Sequence, residues 1–349
     1  VLTVRSTHRD TRLGNTGFRV LLVALSSLTT QHARAESCAS TSGCFDANSL
    51  WLPAGQTEFV TLPSTRADAP GKMSVGLATE LLHDPVVVHV ASPDAGGRDV
   101  HIVDYALDTS LLFDVGALEN LDLSLVLPTR LYQSGAGAGG ISSQSAPPVE
   151  QSALRDPRLG VAYSLDSALA RPGLGLRLAL DVSVPLGNEA AFAGERTLAA
   201  APSATLGWQI SRLALRLGLG ARLRGSAEFG DVRLGNQGFV GLGAGVDLLA
   251  RGLLFLSLEG FGLPPLGSSR ASAADSTVTG VTLFPAEWLF AVHSSFRPDD
   301  EWSLSGSIGT GLPFSSETRA TSNGSSTAHF LGVTEPAWRT LLALRFAPR

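Results

Sequence analysis

The chain has 349 residues, 44% hydrophobic and only 16% charged, with 38 Gly, 19 Pro, 2 Cys and 1 Met. A net charge of −5 excludes a strongly basic nucleic-acid binder as the default reading, so no nucleic-acid partner is expected. Mean hydropathy is +0.18, yet no run of about 18 consecutive apolar residues occurs, which argues against a helical membrane span and leaves the apolar residues to be carried in alternating strands.

The N-terminus has the three parts of a secretory signal. Arg5, Arg9, Arg12 and Arg19 form a basic region, Val20-Leu-Leu-Val-Ala-Leu a short apolar one, and Ala33-Arg34-Ala35 a small-residue cleavage site. Residues 1–35 are therefore expected to be removed after Ala35, leaving Glu36 at the mature N-terminus. Cys38 and Cys44 follow closely in an exported chain, so a local disulfide is expected, with free thiols or a metal site as the alternatives. Residues 36–70 show no strong alternation. They form either a periplasmic extension, the preferred reading, or a segment folded into the lumen of the domain that follows.

From residue 71 onward the period is two. In Leu213-Ala-Leu-Arg-Leu-Gly-Leu-Gly-Ala-Arg-Leu-Arg224 every odd position is apolar, while Ala, Arg and Gly fill the even ones. A helix would smear those Arg side chains around its circumference; a strand puts them all on one face. The same test along the chain finds about twelve strands, near 72–82, 101–114, 120–131, 157–166, 173–185, 202–210, 213–228, 238–249, 253–262, 286–296, 302–313 and 337–346. Most have about the 9–11 residues that a tilted strand needs to cross a bilayer. A water-soluble β-sandwich is the competing all-β reading, but its strands would more often be shorter.

Connections alternate in length. Glu119-Asn120, Ser211-Arg212, 250–252 and 297–301 are short turns; 132–156, 186–201, 263–285 and 314–336 are long loops rich in Gly, Ser, Pro and Ala. Short turns on the periplasmic side and longer extracellular loops mark outer-membrane barrels. Trp208, Phe296, Trp302 and Phe346 fall near one end of the strands and Trp288 and Trp338 near the other, all with the parity of the apolar face, as two interfacial girdles would. Residues 71–349 are thus expected to form an all-β, transmembrane, antiparallel up-and-down barrel.

Leu125-Val-Leu-Pro-Thr-Arg-Leu-Tyr-Gln-Ser134, Leu154-Arg-Asp-Pro-Arg-Leu-Gly-Val-Ala-Tyr163, Pro285-Ala-Glu-Trp-Leu and Glu335-Pro-Ala-Trp-Arg-Thr-Leu-Leu-Ala-Leu-Arg-Phe346 resemble the barrel portion of OmpA-family outer-membrane proteins. The resemblance covers roughly 72–346, and its motifs are turn and strand punctuation rather than chemistry. It implies a barrel in the bacterial outer membrane, in contact with lipid and lipopolysaccharide. It also implies that the barrel-insertion machinery reads an aromatic residue at the end of the last strand; Phe346 sits close to that place, with Ala347-Pro348-Arg349 following it. The family's peptidoglycan-binding domain usually follows the barrel; here Arg349 ends the sequence, and cell-wall tethering is not carried over.

Gly241-Leu-Gly-Ala-Gly245 looks superficially like a nucleotide loop. Its glycines share one parity within a strand, however, and read as a small-residue lumen face. His293 and Ser295 form a His-x-Ser pair resembling part of the site of the twelve-stranded outer-membrane phospholipase family, but by parity they face inward, and no Asn on the next strand orients the His. No catalytic residue is assigned. By parity Arg177, Arg216, Arg222, Arg224, Arg339 and Arg345 share the lumen with Asp104, Asp108, Asp181, Asp247, Glu259 and Glu287. Two readings follow: a porin-like passive channel for small solutes, or a salt-bridged, non-conducting structural or surface-interaction barrel acting through its outer loops. A lipid hydrolase is a distant third. No Cys/His cluster has metal spacing, and no cofactor is expected. N-terminal sequencing of the protein recovered from outer membranes should begin at Glu36; a start upstream of Ala33 would refute the cleavage assignment.

Overall fold

The computed structural model describes residues 45–90, 98–137, 148–165, 173–229, 232–249, 253–266, 285–296, 302–314, 318–319, 329–330 and 334–348. The signal segment, Cys38, Cys44 and the turns 250–252 and 297–301 lie outside the described residues.

Twelve antiparallel strands make one closed sheet. They are β1 (Met73–Val90), β2 (Arg98–Leu118), β3 (Leu121–Ser134), β4 (Arg158–Ser164), β5 (Leu174–Ser183), β6 (Ala199–Ile210), β7 (Leu213–Arg222), β8 (Gln237–Leu249), β9 (Leu254–Gly262), β10 (Ala286–Phe296), β11 (Trp302–Pro313) and β12 (Trp338–Pro348). Each strand pairs with its neighbours in sequence, and β1 pairs with β12 from Val75↔Phe346 to His83↔Trp338, which closes the barrel. Closure leaves no open edge, the condition a bilayer imposes on a sheet. No described helix is long and apolar enough to cross a membrane.

Each strand expected from alternation is present, with two instructive differences. The strand expected near 72–82 runs on past Asp84-Pro85, and β1 and β2 form a long hairpin with register shifts around His83, Val86 and Val87. A bulge is where a strand tolerates a residue without an N–H. The strand expected over 213–228 instead stops at Arg222, after which Ala227–Phe229 pairs with Val232–Leu234 in a separate hairpin. The short turns use left-handed residues, Asn120 at φ 67° and Ser211 at φ 53°, as tight hairpins require.

Parity sorts the two faces. Leu242 on β8 is 59% exposed and Ile308 on β11 56%, whereas Ala343 on β12 is 2% exposed. Leu77, Leu123, Leu178, Leu206, Leu258, Phe290 and Leu342 continue the outward apolar belt. At the short-turn end Trp302 contacts both Phe296 and Phe346. At the long-loop end Trp288 stacks on Phe314, and His83 packs edge-on to Tyr105 and beside Trp338.

The preferred placement of residues 36–70 as a periplasmic extension is corrected for the described part, 45–70. That stretch runs inside the barrel as an irregular plug before entering β1. Its Leu50, Leu52, Ala54 and Val60 pack on Ala78, Leu112, Leu289, Ala291, Leu341 and Ala343 of the wall. The physical reason is volume: where the inward residues are Ala and Gly, only a second segment can fill the space. Replacing Leu258, at the middle of β9 on the outward face, by Arg should destabilise the folded barrel by about 2–4 kcal/mol in a lipid refolding titration; an unchanged midpoint would mean that this face does not meet lipid.

Candidate functional site: the plugged lumen

The plug is held at three levels. Nearest the loop end, Asn48 is the hub. Its Nδ2 donates to Glu80 Oε2 and to Asp108 Oδ2, both at 3.0 Å. Its Oδ1 accepts from Arg339 Nη1 at 2.9 Å and from Leu50 N at 3.1 Å. Arg339 also pairs with Glu80 and grips Glu287 through two N–H groups, at 2.9 and 2.8 Å. Arg130 grips Asp108 in the same way, at 2.7 and 3.1 Å, and Arg155 bridges Asp46 and Asp108. Arg130 and Arg339 are wholly buried, and bidentate pairing of this kind is what makes a buried guanidinium tolerable.

At mid-height Glu259 accepts from Val60 N at 2.6 Å, Thr61 N at 2.8 Å and Thr61 Oγ1 at 2.7 Å. Beside it Phe59 and Leu62 lie on bare backbone: a Cβ on Gly243 would come within 2.9 Å of the Phe59 ring, and one on Gly241 within 2.8 Å of Leu62 Cδ2. Gly241 and Gly243 thus form the floor on which this part of the plug rests. At the short-turn end Asp68 N donates to Asp122 Oδ1 at 3.0 Å, and Asp122 pairs with Arg177.

The loop joining β5 to β6 covers the plug from the loop end. The Phe192 carbonyl accepts from Ala47 N and from Arg130 Nη1, both at 2.9 Å, and its ring packs edge-on to Phe45. Asp156 anchors that loop by accepting from Gly187 N and Glu195 N, each at 2.6 Å. Burial pushes the Asp156 carboxyl up to about 6, against the pull of those two N–H donors. Because the folded-state value is raised, this group favours folding progressively as pH falls from about 6 toward its ordinary value of 3.8.

Between the plug and the wall over β3 to β7 remains a cavity of about 130 Å³. Small wall residues leave it room: Ser124, Ala162, Ala179, Ala201, Ser203 and Thr205. Arg158, Arg177 and Arg222 face it together with Asp114, Asp122 and Asp181.

Most of the residues assigned to the lumen by parity meet the plug or this cavity. Asp108, Arg339, Glu287 and Glu259 hold the plug as described; Arg345 Nη2 donates to the Pro53 carbonyl at 3.3 Å, and Arg216 pairs with Glu58 at 3.4 Å. Asp247 keeps the inward parity, half-buried, where β8 nears the short-turn end. Two are placed elsewhere. Arg224 lies just past β7, pairing with Glu195 of the covering loop and donating to Gln237 Oε1 at 2.9 Å. Asp104 sits with His83 and Asp84, their ligand-type atoms within 4.8 Å of one another, above the bulge in the β1–β2 hairpin. Glu80, Asp114, Asp122, Arg130 and Arg158 were missed, although the same parity rule would have found them. Asn48 carries no such signal. His293 is hydrogen-bonded through Nε2 to Ser257 Oγ at 2.9 Å, and Ser257 in turn donates to Glu259 at 3.3 Å. The acid therefore contacts the serine instead of orienting the imidazole, and the group faces the plug.

A closed antiparallel barrel with an apolar belt, aromatic rims and a charged interior is the fold of outer-membrane β-barrels. The outer membrane channel COG4313 from Pseudomonas putida F1 is similar in structure, with a TM-score of 0.55 at 14% identity, over 83% of this chain and 99% of that one. The KdgM porin gives a TM-score of 0.40 at 8% identity over 78% of this chain and 97% of its own, and the NanC porin 0.41 at 7% over 79% and 99%. At these identities the likeness is one of fold. No protein-family model and no curated protein sequence matches the chain.

Replacing Arg339 by Gln should destabilise the barrel by about 3–5 kcal/mol, because Glu80 and Glu287 would stay buried without their cation. Urea unfolding in detergent measures it; a loss below about 1 kcal/mol would mean that water already reaches this network.

Proposed function

We propose that the protein is a porin-like passive channel of the outer membrane, passing small solutes through the gap between the plug and the β3–β7 wall. The observation that carries this reading is the one-sided packing of the plug. It fills the lumen against β1, β2 and β10 to β12 but leaves the cavity on the other side, edged by small residues and by charges of both signs. Charged side chains in a narrow passage set which solutes enter. The outer-membrane fold adds support, and the resemblance to the OmpA-family barrel portion contributes only the outer-membrane address. In that setting the apolar belt would meet lipid and lipopolysaccharide, the long loops would face outward, and the β12 end near Phe346 would be read by the barrel-assembly machinery.

The covering loop favours a second reading. With Phe192 and Phe45 packed together and Arg130 bonded to the loop backbone, the outer mouth is built as a closure, which suits a non-conducting barrel acting through its loops. A lipid hydrolase draws no such support, since the His293 group lies against the plug and away from lipid.

Planar-bilayer recording separates the readings. The refolded protein should show small, discrete conductance steps, and a variant lacking residues 45–66 should show steps several times larger. A folded barrel that stays silent both with and without those residues would contradict the channel.

A further inference from the structure

Most of the lumen's guanidiniums are matched to carboxylates: Arg130, Arg155, Arg177, Arg216 and Arg339 each lie within 4.0 Å of one. Arg345 forms no ion pair among the described residues, but it does not line the cavity; Arg158 and Arg222 do line it. Both are more than nine-tenths buried, at 8% and 7% exposure, yet among the described residues neither forms an ion pair. Each donates one Nη2 hydrogen bond to a plug carbonyl, Arg158 to Leu52 at 3.4 Å and Arg222 to Ser49 at 3.0 Å. Their guanidinium carbons stand 4.9 and 4.2 Å from the centre of the Trp51 ring, which places two cations about one aromatic side chain. All three residues line the cavity. A guanidinium has five donors in a planar fork, so most of those on Arg158 and Arg222 are left for an occupant.

Asp181 lines the same cavity without closing to an ion pair with Arg158. No carboxylate closes on either guanidinium, so their unused donors are what this end of the cavity offers to an acceptor. The Arg177–Asp122 pair beyond it is already neutral. The neighbouring wall is short and apolar, with Val126, Val161, Ala162 and Pro202. A ligand matched to this end carries one negative charge in a planar, fork-accepting group and a small apolar body.

We propose that Arg158 and Arg222, set about Trp51, form a binding station for a small organic monocarboxylate. The assignment deepens the channel reading by naming the class of solute that pauses in the lumen. The plug supplies both the aromatic platform and the carbonyls that orient the two guanidiniums. The station therefore exists only while residues 45–70 are seated.

Isothermal titration of the refolded full chain in detergent, with propionate as the probe, tests it. Folding of each variant is checked by the heat-dependent gel mobility typical of barrels. Wild type should bind propionate saturably and give no saturable heat with propan-1-ol. Arg158→Gln and Arg222→Gln should each weaken binding about tenfold or more. Arg222→Lys, which keeps the charge but loses the fork, should fall between. Arg196→Gln, on the exposed covering loop, should bind as wild type does. Absence of saturable binding by folded wild type, or wild-type affinity in both Gln variants, overturns the proposal. Displacement by an equal concentration of chloride overturns the carboxylate assignment. The two readings fail separately: a protein silent in bilayers that binds propionate through Arg222 keeps the station and loses the channel, and a conducting protein that binds none does the reverse.

Discussion

Two-residue alternation on a closed wall constrains everything else in this molecule. In hydrocarbon a backbone amide has no partner but another backbone group, so the sheet must close on itself. Once closed, every second side chain is committed to lipid and every other one to the interior. Leucine, valine and phenylalanine take the first set of positions. The second set is then free of the lipid penalty on charge and can hold arginine and aspartate. The same constraint creates a packing problem, because a twelve-stranded wall lined on one arc by alanine and glycine encloses more space than its own side chains occupy.

The plug answers that problem in two ways. Against β1, β2 and β10 to β12 it packs as an ordinary core, with Leu50, Leu52 and Val60 on Ala78, Ala291 and Ala343. Against the charges it acts as a hydrogen-bonding strip. Asn48 meets donors and acceptors from three wall strands, and Glu259 collects the amides of Val60 and Thr61. Removing a partner from such a network costs far more than the network contributes net, because a charge is left buried. Position is therefore tightly specified even where the contribution to stability is modest. The other arc, β3 to β7, is left unfilled, and it is there that Trp51 projects beside two guanidiniums lacking carboxylate partners.

How much of this was legible in the sequence follows from the same physics. Strand positions came out well because a period of two is local and repeats: 286–296 and 302–313 match β10 and β11 to the residue. Where local pattern and tertiary context disagreed, context won. β1 continues past Pro85 because a bulge absorbs it, and the strand from Leu213 stops at Arg222, before Gly225 and a separate hairpin. Inward charges were readable by parity, though Asp104 shows its limit: at a bulge, parity counted along the strand no longer places a side chain. The plug was not legible. Residues 45–70 have no periodic pattern, because each one is fitted to a different patch of wall. The pairing of Asn48 with Arg339 spans 291 residues of sequence and leaves no local trace. The glycines at 241, 243 and 245 were recognisable as an inward small-residue face, but nothing in the pattern marked Gly241 and Gly243 as the floor beneath Leu62 and Phe59.

The central claim is that the wall alternates between lipid and a seated plug. A nitroxide scan along β8 from Val240 to Val246, in the protein reconstituted into lipid vesicles, tests it most directly. Labels at 240, 242, 244 and 246 should be relaxed strongly by oxygen dissolved in the bilayer. Those at 241 and 243 should be shielded from both oxygen and a water-soluble nickel chelate, since the plug lies against them, and so should that at 245, covered by Phe255, which packs on Phe59 of the plug. Free access of the nickel chelate to the odd positions would show the lumen to be unplugged, and a loss of alternation along the series would contradict the barrel wall itself.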